Sequence, residues 1–154
     1  MNVAFINPFI VSMKQVMAMM ASIDLDVLQP ALKKDAVSRG EVSGIIGMVG
    51  PQVRGSMAIS LEKDLSFAMM KNMLAEDVQE LNDSVCDMVG EITNMICGSA
   101  KGHLSEQGYE FEMATPVIVS GVEHLIQHKV EGPKIILPFS SSQGNAYLEI
   151  CFDG

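Results

Sequence analysis

A chain of 154 residues that is 48% hydrophobic and 19% charged has the composition of a well-cored globular protein rather than a disordered one. Its 10 basic and 19 acidic residues give a net charge of −9. No Lys/Arg cluster runs anywhere, which disfavours nucleic acid and anionic membrane as partners. The length predicts one domain over residues 1–154.

The first run, MNVAFINPFIVSMKQVMAMMASI, is apolar but has no basic n-region, and Lys14-Gln15 interrupts it before it spans a membrane. Phe9, Ile10, Met13, Val16, Met17 and Met20 instead fall at helical spacing. This predicts an amphipathic helix starting near Asn7-Pro8 in a cytoplasmic protein. Residues 26–38, 41–49 and 52–61 read as three strands, punctuated by Gly40 and by Gly50-Pro51. The third alternates Val53, Gly55, Met57, Ile59 and Leu61 against polar or small residues. Residues 62–75 return to helical spacing, and a long helix is predicted from Val78 to His103.

Residues 112–120 read as a strand that Pro116 places at an edge or a strand start. Runs 127–139 and 145–153 flank the loop Ser140 to Gly144 as a hairpin, with Ala146, Leu148, Ile150 and Phe152 facing one way. Strands, then helices, then strands describe an α+β domain: an antiparallel sheet with helices on one face. The thirteen methionines are expected mostly as core filling. Cys86, Cys97 and Cys151 are odd in number and lack CxxC, so they read as small core or helix-flank residues of a reducing compartment, not as a disulfide or zinc framework. His124 and His128 lie four apart without an evident third ligand, and a solvated loop is expected there instead of a metal site.

The long helix carries two stripes. With about 100° per residue and Asp87 at zero, Leu81, Val85, Met88, Ile92, Met95 and Ile96 fall between about 80° and 180°, an ordinary core stripe. Ser84, Asp87, Glu91, Asn94, Gly98 and Lys101 fall within about 60° of zero on the other side. Glu and Asn three apart occur on many wet helix faces. Here, however, Asn94 is a poor helix former, and Gly90 and Gly98 each cost roughly 1 kcal/mol relative to alanine. The helix gives up stability on a face that packing does not need.

Glu91-Ile-Thr-Asn94, with Asp87 four residues before and Pro116 some twenty residues after, resembles the signature of the CheC/CheX/FliY chemotaxis phosphatases. Ser56 to Leu61 running into an amphipathic helix, then the ExxN helix ending at Lys101, then a terminal hairpin, match that family's layout over nearly the whole chain. Only one ExxN copy is present, which resembles the CheX-like, homodimeric branch.

The resemblance implies a phosphatase acting on the aspartyl phosphate of a CheY-like response regulator. Asn94 would orient the attacking water, since an amide donates and accepts hydrogen bonds without titrating. Glu91 would pair with the receiver's lysine, and Ser84, Asp87, Gly98 and Lys101 would lie against the partner. The chain would need no cofactor of its own, because the Mg2+ belongs to the receiver. A non-catalytic module of the same fold, binding a receiver or a flagellar switch protein, is the other reading. The expected dimer seam joins sheet edges, with runs 41–49 and 52–61 carrying few charges against such pairing.

Overall fold

The computed structural model describes residues 3–51, 53–128 and 130–153. In chain order these form α1 (Val3–Ala21), β1 (Asp26–Val27), β2 (Ala31–Leu32), β3 (Val42–Val49), β4 (Arg54–Leu61), α2 (Lys63–Leu74) and α3 (Asp83–Glu106). Then follow β5 (Glu112–Met113), β6 (Val117–Ser120), β7 (Lys134–Ser140) and β8 (Ala146–Asp153). All strands join one antiparallel sheet in the order β1-β7-β8-β4-β3-β5, with β2 also on β7 and β6 also on β3. The three helices cover one face, as the α+β pattern requires.

Alternation along the strands sets the two faces. Val42, Ile46 and Met48 of β3, Met57, Ile59 and Leu61 of β4, and Leu148 and Ile150 of β8 belong to the core under the helices. The register lines them up: Gly44 opposes Ile59, which opposes Leu148, which opposes Leu137. Gly44 is the exception in this apolar row. A Cβ there would overlap the Thr93 hydroxyl of α3, so the missing side chain is what lets the helix lie directly on β3.

The expected elements differ from the observed ones at several ends. α1 begins before Asn7 and contains Pro8, because Phe5 packs edge-on to Phe152 and Tyr109, with centroids 4.2 and 5.1 Å away, and this draws an extra turn into the core. Lys14-Gln15 does not interrupt the apolar run of α1 as expected. By length and composition alone its 19 residues are apolar enough to cross a membrane, yet Phe9, Met13 and Met17 are fully buried within the protein. Strand 26–38 shrinks to β1 and β2, since Pro30 has no N–H for the ladder. Strand 112–120 splits likewise, with Pro116 just before β6.

Runs 41–49 and 52–61 are not edges: β3 and β4 are paired on both sides, and the sheet ends instead in the split strands. β7 begins at Lys134, later than the expected start of that run at Gln127. Gln52 and Lys129, expected in strands, lie outside the described residues.

Two loops cross the face opposite the helices and tie to each other through Ser38 N–H to His124 O and Ile126 N–H to Ala36 O, both 2.8 Å. They carry charge into the protein. Lys33 Nζ donates to Glu149 Oε2 at 2.6 Å, and His128 Nε2 donates to Oε1 at 3.0 Å. Ser56 Oγ completes the cluster, 2.8 Å from His128 Nδ1. His128 is therefore no solvated loop residue, since its side chain is 2% exposed. His124 is hydrogen-bonded at both ring nitrogens, to Gly121 O at 2.8 Å and Ser43 Oγ at 2.7 Å. Burial pushes the Glu149 carboxyl up, but hydrogen bonds from His128 and Lys33, with their charges, outweigh it and hold the group below its ordinary value.

Two tests follow from this packing. Gly44→Ala should lose ~1–3 kcal/mol in urea unfolding through overpacking, and Thr93→Ala in the same chain should recover part of that loss. A fully stable Gly44→Ala would show that the contact does not constrain α3. Glu149→Gln leaves Lys33 buried without its counter-charge and should cost about 3–5 kcal/mol at pH 7. Because the folded-state carboxyl is depressed, its contribution is present above the ordinary 4.5 and disappears as pH falls through the lowered value. The stability gap between the two proteins should accordingly narrow below pH 4.5, and a pH-independent gap would contradict the ionised cluster.

Candidate functional site

α3 is the element on which the expected site depends. It starts at Asp83, not Val78, because Ala75 ends α2 in a left-handed conformation (φ 55°) and Asn82 caps α3, its side chain accepting from Val85 N–H at 3.0 Å. It runs three residues past His103, to Glu106, and closes with Tyr109 N–H on Leu104 O.

The buried side is wider than the expected stripe. Val85, Met88, Ile92 and Ile96 are buried as predicted, and so are Val89, Thr93, Cys97, Ala100 and Leu104, since α1 and the sheet both pack on the helix. Leu81 and Met95 are only half-buried. Each large apolar side chain so buried contributes roughly 1.5–3 kcal/mol. Ser12 of α1 donates to Ser99 Oγ at 2.9 Å, and Thr93 Oγ1 donates to Val89 O at 2.6 Å. The helix is held along its whole inner side.

On the outer side, Ser84, Asp87, Glu91 and Asn94 are all exposed. The side chains of Glu91 and Asn94 have no hydrogen-bond or ion-pair partner among the described residues. Gly98 and Lys101 differ. A Cβ on Gly98 would sit 3.9 Å from Met113 Sδ, and the half-buried Lys101 lies 3.9 Å from the Glu112 carboxylate. The stripe thus divides into an open acidic and amide part and a C-terminal part leaning on β5.

Cys97 lies on the buried side of this helix, and burial pushes its thiol up to about 12, which keeps it protonated at neutral pH. Among the described residues no group of three or more His, Cys, Asp or Glu could hold a metal ion. What remains at the surface is a neutral amide beside a carboxylate on a rigid backbone. That pair can position a water and engage a cation.

The chemotaxis phosphatase CheX family model matches residues 42–140, a span that runs from β3 to β7 and contains α3 and the exposed pair just described. The chain belongs to that family. Solved structures more than half identical to it include the following two. The CheC-like superfamily protein from Shewanella sp. PV-4 is 53% identical, with both chains wholly covered and a TM-score of 0.94. The chemotaxis protein CheX from Vibrio vulnificus is 55% identical over 97% of this chain and 99% of its own, with a TM-score of 0.90. The Borrelia burgdorferi CheX, solved in a CheX–CheY–BeF3–Mg2+ complex, is 22% identical over 99% of this chain and 100% of its own (TM-score 0.82) and shares the CheX fold. No curated protein matches the chain.

Sequence reasoning missed one part of this surface. Met20, 39% exposed, and Leu74, 53% exposed, end α1 and α2 beside Glu91 and Asp87 instead of filling the core. The methionine-rich close of α1, Met17 to Met20, was the available signal, but its period does not reveal where the neighbouring helices stop.

Proposed function

We propose that this protein removes the phosphoryl group from the aspartate of a phosphorylated CheY-like response regulator, with Asn94 and Glu91 as the working pair. The observation that carries the reading is an amide and a carboxylate, exposed and unpartnered, one turn apart on a helix whose inner side is fully packed. Membership of the CheX phosphatase family supports it, as does the solved pairing of the Borrelia CheX with CheY.

An aspartyl phosphate is already an activated acyl phosphate, so its hydrolysis needs a positioned water more than a base. Asn94 enters the receiver's site, where its amide accepts from the water and turns a lone pair toward phosphorus. Glu91 pairs with the receiver's active-site lysine and sets the angle of docking, while Ser84 and Asp87 flank the contact. Mg2+ is supplied by the receiver and held there. Gly98 and Lys101 border the interface, and Gly98 offers no bulk against the approaching partner.

Asn94→Ala should keep receiver binding and lower phosphate release from the phosphorylated receiver by on the order of 10²-fold. Glu91→Ala should weaken binding as well as turnover, most visibly at low salt. Activity of Asn94→Ala within twofold of the parent protein would remove the water-orienting role, whereas a parent protein that binds the receiver without accelerating phosphate release would be a module that binds without hydrolysing.

The same reading includes a symmetric homodimer joined through a sheet edge, with both α3 faces free for one receiver each. Light scattering at micromolar concentration should then give roughly twice 16.6 kDa. A clean monomer would contradict it.

A further inference from the structure

A groove of about 430 Å³ opens along α3 beside Glu91. Three helices build its apolar lining: Met88 and Met95 come from α3, Met20 from the end of α1, and Met73 and Leu74 from the end of α2. Glu76, Asp87 and Glu91 also line it, and among the described residues no lysine or arginine does.

We infer that this groove receives an apolar side chain of the docked response regulator, one flanked by a lysine or arginine. The inference rests on the phosphatase reading above and adds a second contact to it. Continuity fixes the occupant. Glu91 and Asp87 belong both to the groove and to the stripe that carries Asn94, so a receiver whose lysine meets Glu91 necessarily lies across the groove. Charge fixes its chemistry, since three carboxylates around an apolar cleft repel an acidic segment and favour a cationic one. Methionine fixes the tolerance: unbranched thioether side chains re-pack around guests of different shape. Receiver choice then depends on the groove, and turnover on Asn94.

The test separates the two in one assay, steady-state phosphate release from a phosphorylated receiver. Met20→Gln combined with Leu74→Gln should raise KM roughly tenfold, the scale of losing one well-buried apolar contact, with kcat within twofold. Met20→Leu with Leu74 retained should restore KM. Glu76→Lys, at an exposed position, should also raise KM, and more so at low salt, which reads the same groove if the glutamine variant melts early. Asn94→Ala run alongside should lower kcat and leave KM in place. If Asn94→Ala loses turnover while the Met20, Leu74 and Glu76 variants keep their KM, the groove is no docking site and the phosphatase reading stands. If the parent protein does not accelerate phosphate release at all, the phosphatase reading falls and the groove's assignment falls with it.

Discussion

The structure turns on one missing side chain. Gly44, in the middle of β3, leaves the space that Thr93 of α3 occupies, and no other residue would allow helix and strand to approach so closely. Thr93 fills it with a hydroxyl already bonded to Val89 O, so the contact brings no unpaired polar group into the core. Asn94 is the next residue, about 100° further around the axis. A helix that cannot roll at Thr93 cannot roll at Asn94, and the exposed amide therefore takes its direction from a glycine on the sheet. Ala21, whose carbonyl accepts from Asn72 at 2.7 Å, joins α1 to α2 and keeps the neighbouring helices in step.

The sheet under that contact is stiff for a separate reason. Its far face is closed by the Lys33–Glu149–His128 cluster, in which each partner comes from a distant part of the chain. A buried cluster of this kind is a weak source of net stability but is costly to break, so it enforces one arrangement of the crossing loops. The Arg39 guanidinium, gripping Asp35 with two 3.0 Å bonds, holds that carboxyl down to about 2 and shapes the first of those loops from the outside. Helices press on one face of β3, β4 and β8 and the two loops on the other.

Much of this was legible from sequence, for identifiable reasons. The outer stripe of α3 stood out because polar residues and Gly98 recur there at helical spacing while Ile92 and Ile96 recur opposite. β4 and β8 were readable because their alternation is sustained over eight residues each. The width of the buried arc was not, since Thr93 and Ala100 have neither the size nor the polarity that announces burial. Nor was the Glu149 cluster: Lys33 lies 116 residues from Glu149, and no local pattern links positions so far apart. The strands at the sheet margins were overextended because alternation continues through Pro30 and Pro116, although hydrogen bonding does not. The groove stayed hidden because periodicity says which face of a helix is apolar, not whether a neighbour covers its last turn.

The two sides of α3 share no residue, and this has a consequence for how such a protein diversifies. Replacing Ser84, Asp87 or Met20 disturbs no hydrogen bond and no fully buried contact. Altering Ile92, Thr93 or Ile96 disturbs the seat of the helix. The exposed side of α3 can thus be rewritten position by position while the fold stays the same.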